Sequence, residues 1–407
     1  MYTKKDKSIY SIFYIAIPIV FLDARVFFRS IFYSNQVGDL IGAGYFLFFL
    51  FYIVYLYHKY NIHFKNITLY ILCIYLYSLI RYWFEGISYG VLIQWSLVYI
   101  AIIILSFILN IRITAKHFIN AFLISTLLNL IAIYEPTGYI QGRVAVNTAL
   151  GSSIEFSDYS YGIIRQSGFL GAPGALSASS AIGFLFSLIL FLDKKKIIYL
   201  FFVFVNLING LSTYNRSFII AIVLGLFIVF FFLYPVRKFI FNILWISPFI
   251  LIFYFSLSTY TEYIDKVSTR FSSETLERDI DTRTKELSGI DLAIRAVENN
   301  PVFGSASKSK IGDSLVIDAD GIEMLPHNGL YQIFASRGIP FGLFFLFLII
   351  FSYTRLYKKS KIAHDTYTKC FFMSMTTILV ISLVESFWEH PLMLCSIVCG
   401  FTLSRNN

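Results

Sequence analysis

The chain has 407 residues, of which 57% are hydrophobic, 19% aromatic and only 14% charged, and its formal net charge is +9. A soluble globular domain is excluded by that balance, and the mean hydropathy of +0.70 points the same way, so the chain reads as a polytopic membrane protein. Its excess of positive charge is a matter of membrane topology, as the loops below indicate, and carries no implication for nucleic acid.

Long apolar runs recur from one end of the chain to the other. Outer-membrane strands alternate polar and apolar residues, whereas these runs are continuous, so the expected fold is all-α, with backbone groups satisfied inside each helix. Lys4, Lys5 and Lys7 precede the first run without a small-residue cleavage site after it, which predicts an uncleaved first span. Run length and charged punctuation place about twelve spans, at about 9–30, 39–57, 66–83, 91–109, 118–134, 173–192, 197–211, 218–234, 239–258, 339–354, 368–386 and 391–404. The whole chain, 1–407, is expected to form one transmembrane domain.

Every second connection is basic: 59–65, 112–116, 193–196, 235–238 and 355–361, followed by a tail with Arg405. With the termini included, that side holds eighteen Lys and Arg against three acids, Asp6, Asp193 and Asp365. The preference for positive charge on the cytoplasmic face therefore puts these connections inside. Eleven of the fifteen arginines then fall on the opposite, outer side. Arginine placed against the orientation preference needs another purpose, and a phosphorylated lipid supplies one.

Two outer segments are long. The first, 135–172, is rich in Gly, Ser and Tyr; the second, 259–338, lies between the ninth and tenth spans and carries most of the chain's acids. Ser288 and Asp291 have capping-box spacing, and the following run stops at Asn300-Pro301, which predicts a short helix over 289–299. Ile290, Ile294 and Val297 recur at helical spacing, predicting that this face rests on the membrane domain, with Arg295 near the middle of the helix. No repeat of 20–50 residues is visible.

His327 is the histidine best placed for chemistry. His58, His63, His117 and His364 lie in or beside cytoplasmic connections, His390 lies in a short outer turn, and only His327 opens a helix-like run at the end of the large loop. That run continues through Asn328 to Arg337, with Gly338 and Pro340 expected to stop it. A neutral imidazole there can take a proton from a hydroxyl, and nearby arginines would keep it neutral. The alternative is a helix-start histidine bonded to backbone or to a lipid headgroup.

Arg216 stands in a very short outer turn, Ser212 to Ser217, and Arg165 precedes a turn punctuated by Gly168, Gly171 and Pro173. Guanidinium groups converging on one cavity would suit a diphosphate and stabilise its departure without a metal ion. Interface anchoring is the alternative for Arg216 and the favoured reading for Arg25, Arg29 and Arg81. Asp313, Asp318, Asp320 and Glu323 resemble a fragment of a calcium loop without its full ligand spacing and read as a solvated turn. Cys73, Cys370, Cys395 and Cys399 lie in or at the ends of spans and imply no disulfide framework; Cys395 and Cys399, one turn apart, read as packing residues.

Three segments together resemble the O-antigen polymerase and O-antigen ligase family of bacterial surface-polysaccharide assembly. In the first, Arg283 is followed by the short helix, the turn Pro301-Val302-Phe303-Gly304 and the His327-Asn328 helix with Gly338 and Pro340. The second is Tyr214-Asn215-Arg216-Ser217, and the third runs from Arg165 to Pro173. Ile290, Gly174 and Asn215 depart from the residues that are common in the family at those places.

The resemblance implies a membrane-embedded glycosyltransferase of GT-C-like architecture that uses undecaprenyl-pyrophosphate-linked sugars and needs neither metal nor nucleotide sugar. It implies His327 as general base, Arg216 and Arg283 as pyrophosphate grips, Arg165 as a third contact, Asn328 as a residue fixing the histidine or the acceptor, and Arg295 as a weaker contact. Two activities share this donor: a polymerase extends a lipid-linked repeat unit, and a ligase moves the glycan onto lipid A core. The abundance of Phe (44) and Tyr (29) favours the polymerase by family analogy, with a chain-length regulator protein as an expected partner. A lipid-linked-sugar flippase is disfavoured, because the middle spans are almost free of charge.

Overall fold

The computed structural model describes residues 66–84, 115–134, 166–170, 173–234, 329–362, 366–383 and 391–402, the pairs 157–158 and 163–164, the turn 300–304, and isolated positions within 21–58, 96–99 and 293–298. Their helices are α1 (Asn66–Phe84), α2 (Ala115–Tyr134), α3 (Pro173–Lys194), α4 (Ile197–Ser212), α5 (Arg216–Ile228, continued by a π turn over Val229–Leu233), α6 (Gly329–Arg337), α7 (Ile339–Ile362), α8 (Thr366–Ser382) and α9 (Pro391–Thr402). Among the described residues the fold is all-helical apart from a two-residue antiparallel pairing, Ser157 opposite Ile164 and Asp158 opposite Ile163, and a 3₁₀ turn at Gly168–Leu170. Four helical stretches are long and apolar enough to cross a membrane among the described residues: Lys116–Tyr134, Pro173–Lys194, Arg216–Leu233 and Ile339–Lys361.

The expected spans from 66–83, 118–134 and 173–192 through 197–211 and 218–234, and again from 339–354 to 391–404, fall on helices. The expected span 239–258 lies outside the described residues, while those at 9–30, 39–57 and 91–109 are described only at isolated positions. α7 runs past its expected end because Arg355 and Lys361 lay their stems along the helix, with their cations over the rings of Phe351 and Tyr357 at 4.0 and 4.7 Å.

Small residues make α3 the centre of the bundle. Its first half, Pro173-Gly-Ala-Leu-Ser-Ala-Ser-Ser-Ala-Ile-Gly183, lets neighbouring backbones approach closely, and α2, α4, α5 and α8 all pack on it. At Gly183 a Cβ would lie 2.1 Å from Oδ1 of Asn206, so any side chain there would force α3 and α4 apart. Aromatic edges fill the seam between α2, α3 and α8: Phe122 meets Phe186 and Phe186 meets Phe371 with ring centroids 5.6 and 6.1 Å apart.

Buried polar groups must find partners inside the protein where lipid offers none. Ser125, Ser187, Thr376 and Thr377 donate to carbonyls three or four residues back in their own helices. Asn209 of α4 instead donates to the carbonyl of Thr126 in α2 at 2.8 Å, and the hydroxyls of Ser177 (α3) and Ser217 (α5) lie 3.2 Å apart.

One end of the bundle is fastened by charge. Lys369 of α8 lies 3.4 Å from the Asp193 carboxylate at the end of α3 and stands over the Tyr234 ring, while the Tyr234 hydroxyl donates to the same carboxylate at 2.8 Å. Beside them Lys194 donates to the Tyr367 hydroxyl. These contacts gather the C-terminal ends of α3 and the π turn with the start of α8. Since α3, α4 and α5 alternate in direction and each rises about 1.5 Å per residue, Pro173 and the turn from Ser212 to Arg216 lie at the opposite end. α7 enters α8 through the short link 363–365, so Ile339, at its other terminus, shares the end that carries Arg216.

Candidate functional site

Arg216 is fixed by the turn from which α5 starts. Thr213 and Tyr214 close the end of α4 by bonds back to Gly210 and Leu211, with Tyr214 at φ +49°. Asn215 then adopts an extended backbone and accepts from the Ser217 N–H at 3.0 Å, capping the new helix. The departure from Ser at position 215 is thus explained locally, since Asn and Ser are interchangeable caps. Arg216 becomes the first residue of α5 and is partly buried, at a terminus where the helix dipole favours an anion. The segment entering α3 is tied to this turn: the Gln166 N–H donates to the Ser212 carbonyl at 3.1 Å, and the Phe169 N–H donates to Asn129 of α2 at 2.9 Å.

The second element of the site is the break between α6 and α7. Sequence reasoning expects Gly338 and Pro340 to end the helix that starts near His327; Gly338 does end it, but the chain re-enters a helix at Ile339, and Pro340 serves as an N-terminal residue of α7. Proline suits that place because its missing N–H would have had no intrahelical partner. The turn Pro301–Gly304 docks on this break, backbone to backbone. The Ile339 N–H donates to the Pro301 carbonyl at 2.8 Å, Gly304 has φ +65° and Gly338 φ +81°. A Cβ on Gly338 would lie 2.2 Å from the Val302 carbonyl oxygen, and one on Gly304 would lie 2.5 Å from the Gly338 nitrogen.

Gly338→Ala is therefore expected to cost about 1–2 kcal/mol in backbone strain alone, and to push the turn off the helix break besides. Thermal unfolding of the purified protein should show a lower Tm, and limited proteolysis should cut faster near 301–304. Gly44→Ala, where an added Cβ meets nothing within 4 Å, serves as the control; equal behaviour of the two variants would remove the docking argument.

Arg337, the last residue of α6, is the residue the sequence reading passed over. Its side chain is only 1% exposed, and its carbonyl accepts from the Tyr77 hydroxyl of α1 at 2.9 Å. Tyr77 stacks on Phe341 of α7 at 5.0 Å, so α1, the Pro301–Gly304 turn and the helix break form one cluster. Its sequence signal was available: an arginine directly before the expected helix stop, on the side where arginine needs a reason.

His327, Asn328, Arg283, Arg295 and Arg165 lie outside the described residues. Gly329, next in the chain after Asn328, opens α6 and is buried, and Gln166, next after Arg165, is the residue bonded to the Arg216 turn. Within the expected helix 289–299 the described positions Ala293, Ile294, Val297 and Glu298 are helical. Ala293 is buried and Ile294 is 46% exposed. Of the expected face, Val297 is half-buried, Ile294 is exposed and Ile290 lies outside the described residues. The acidic stretch from Asp313 to Glu323 also lies outside the described residues. Cys370, Cys395 and Cys399 are buried among apolar side chains.

Comparison with protein families bears on this segment directly. Residues 201–347 match the family model described as O-antigen ligase. The resemblance to the O-antigen polymerase and ligase family holds over that stretch. No curated protein matches the chain. The matched O-antigen ligase segment runs from α4 into α7 and includes Arg216, the Pro301–Gly304 turn and the helix break, together with Arg283, Arg295, His327 and Asn328; Arg165 falls before it. The apolar helices described above, four of them long enough to cross a membrane, give the matched segment a membrane setting.

Proposed function

We propose that the protein is a surface-polysaccharide polymerase of the bacterial inner membrane, with about twelve spans, a single transmembrane domain and periplasmic loops at 135–172 and 259–338. It transfers a growing glycan from undecaprenyl pyrophosphate to the sugar of a newly delivered lipid-linked repeat unit. The carrying observation is the O-antigen ligase match over residues 201–347, which encloses both the Arg216 turn and the His327 helix.

In this reaction the bond between the donor's anomeric carbon and the diphosphate oxygen breaks, and a bond from that carbon to an acceptor hydroxyl oxygen forms. His327 takes the hydroxyl proton, and the diphosphate leaves with the electron pair of the broken bond. Arg216 and Arg283 hold the departing charge, Arg165 adds a third contact and Asn328 orients the imidazole or the acceptor, with Arg295 a lesser contributor. The guanidinium forks do here what a metal ion would otherwise do. Supporting this reading, Arg216 stands at the end of the bundle opposite the Asp193–Lys369 pair, away from the lysine-rich connections. A chain-length regulator protein fits as a partner of a polymerase.

The ligase reading keeps the same donor and site and changes the acceptor to lipid A core; the description of the matching family favours it. Deleting the gene and separating surface glycolipid on a gel distinguishes the two. The polymerase predicts core capped by a single repeat unit. Bare core with polymer accumulated on the lipid carrier would replace polymerase by ligase, and repeat units trapped at the cytoplasmic face would replace both by a flippase.

A further inference from the structure

Arg216 heads an apolar stripe that stays exposed among the described residues. On α5 and its π turn the exposed positions are Ile220, Val223, Leu224, Phe227, Phe231 and Phe232, at 48, 59, 41, 52, 64 and 48% exposure. The first five follow Arg216 by four, seven, eight, eleven and fifteen residues, the spacing that puts them on the same face of the helix as the arginine. The buried positions Ser217, Phe218, Ala221, Gly225 and Val229 fall on the opposite face and pack on the bundle. From Arg216 to Leu233 the helix is 18 residues long, or about 27 Å, close to the depth of a bilayer's hydrocarbon.

We propose that this stripe is the track for the polyprenyl tail of the lipid-diphosphate donor, with the diphosphate at Arg216 and the tail running down α5 over Val223, Phe227 and Phe231. The occupant follows from complementarity: a cation at one end of an unbroken apolar strip matches an amphiphile with an anionic head and a long hydrocarbon tail. The rings of Phe227 and Phe231, with centroids 4.4 Å apart and planes tilted by 35°, form one contiguous aromatic surface against which a chain of isoprene units can lie. α7 exposes Leu343, Phe347 and Ile350 to a similar degree, but the cation next to its head, Arg337, is buried. The proposal rests on the glycan-transfer reading above and adds where the donor's tail lies and why tail length matters.

The test uses the full-length protein in lipid nanodiscs, with donors that share one glycan diphosphate and differ in carrying an undecaprenyl or a short farnesyl tail. A triple variant, Val223→Ala, Phe227→Ala and Phe231→Ala, should raise KM for the undecaprenyl donor about tenfold, a loss of about 1.4 kcal/mol, leaving kcat and the farnesyl KM near wild type. The matched control on α7, Leu343→Ala, Phe347→Ala and Ile350→Ala, should change neither. A photoreactive residue at 227, but not at 347, should label a tagged undecaprenyl diphosphate, and excess unlabelled carrier should compete the label away. Equal labelling at both positions, or equal KM effects of the two triple variants, would mean contact with bulk lipid only and would overturn the track. If the α5 variant is wild type while His327→Ala is inactive, the track alone fails; if His327→Ala is fully active, the transfer reading beneath it fails too.

Discussion

Substituting His327 by alanine is expected to lower glycan transfer by about 10²–10⁴-fold, the usual contribution of a positioned general base, with membrane abundance unchanged. The expectation follows from the place of the residue. His327 begins the run that continues at Gly329 as α6, and α6 is anchored at its far end by the Arg337–Gly338 break, the docked Pro301–Gly304 turn and Tyr77. The measurement is chain length of surface glycolipid in cells and transfer rate with purified lipid-linked donor. Activity that falls with pH as the imidazole protonates would support the base role in the wild type, and wild-type chain length in the variant would end it.

Arg216→Ala comes second, with an expected loss of about 10²–10³-fold, the range seen when one preorganised donor to a developing anion is removed. Arg216→Lys should recover only part of this, because an ammonium restores charge without the planar two-pronged geometry that a diphosphate accepts. The cap at Asn215 and the Ser177–Ser217 contact do not involve the guanidinium, so neither substitution should unfold the turn. Thermal stability therefore separates a binding role from a structural one: a Tm drop matching the loss of activity would make Arg216 an interface anchor, and an unchanged Tm with lost activity supports the grip on the donor.

Much of the helical layout is legible without coordinates. Runs such as Pro173–Lys194 and Arg216–Leu233 are too long and too apolar for any other structure in a bilayer, and their ends are marked by charges, a proline or a capping residue. The turn at Asn215-Arg216 is legible for the same reason, since a polar cap between two apolar runs leaves little room for anything but a tight reversal. The exposure of Ile294 beside a buried Ala293 was not legible. Periodicity finds the most hydrophobic face of a helix, but burial is decided by what the rest of the chain brings against it.

Two further features came only from packing. Nothing local to Pro301–Gly304 says that its backbone will sit on Gly338, because that pairing depends on two glycines with positive φ meeting across thirty-four residues. Nor does the sequence around Asp193 announce Lys369 and Tyr234 as its partners. By itself the sequence determined that the chain is helical, where many helices begin and end, which side its lysines favour and which family it resembles, because composition, run length and charge act locally along the chain. The tertiary structure decided which helix lies at the centre, that Arg337 is buried at the C-terminal end of α6, and that Arg216 shares a face with an exposed apolar stripe. Those depend on close approach between segments far apart in sequence, and hydropathy along a single strand of text does not encode that distance.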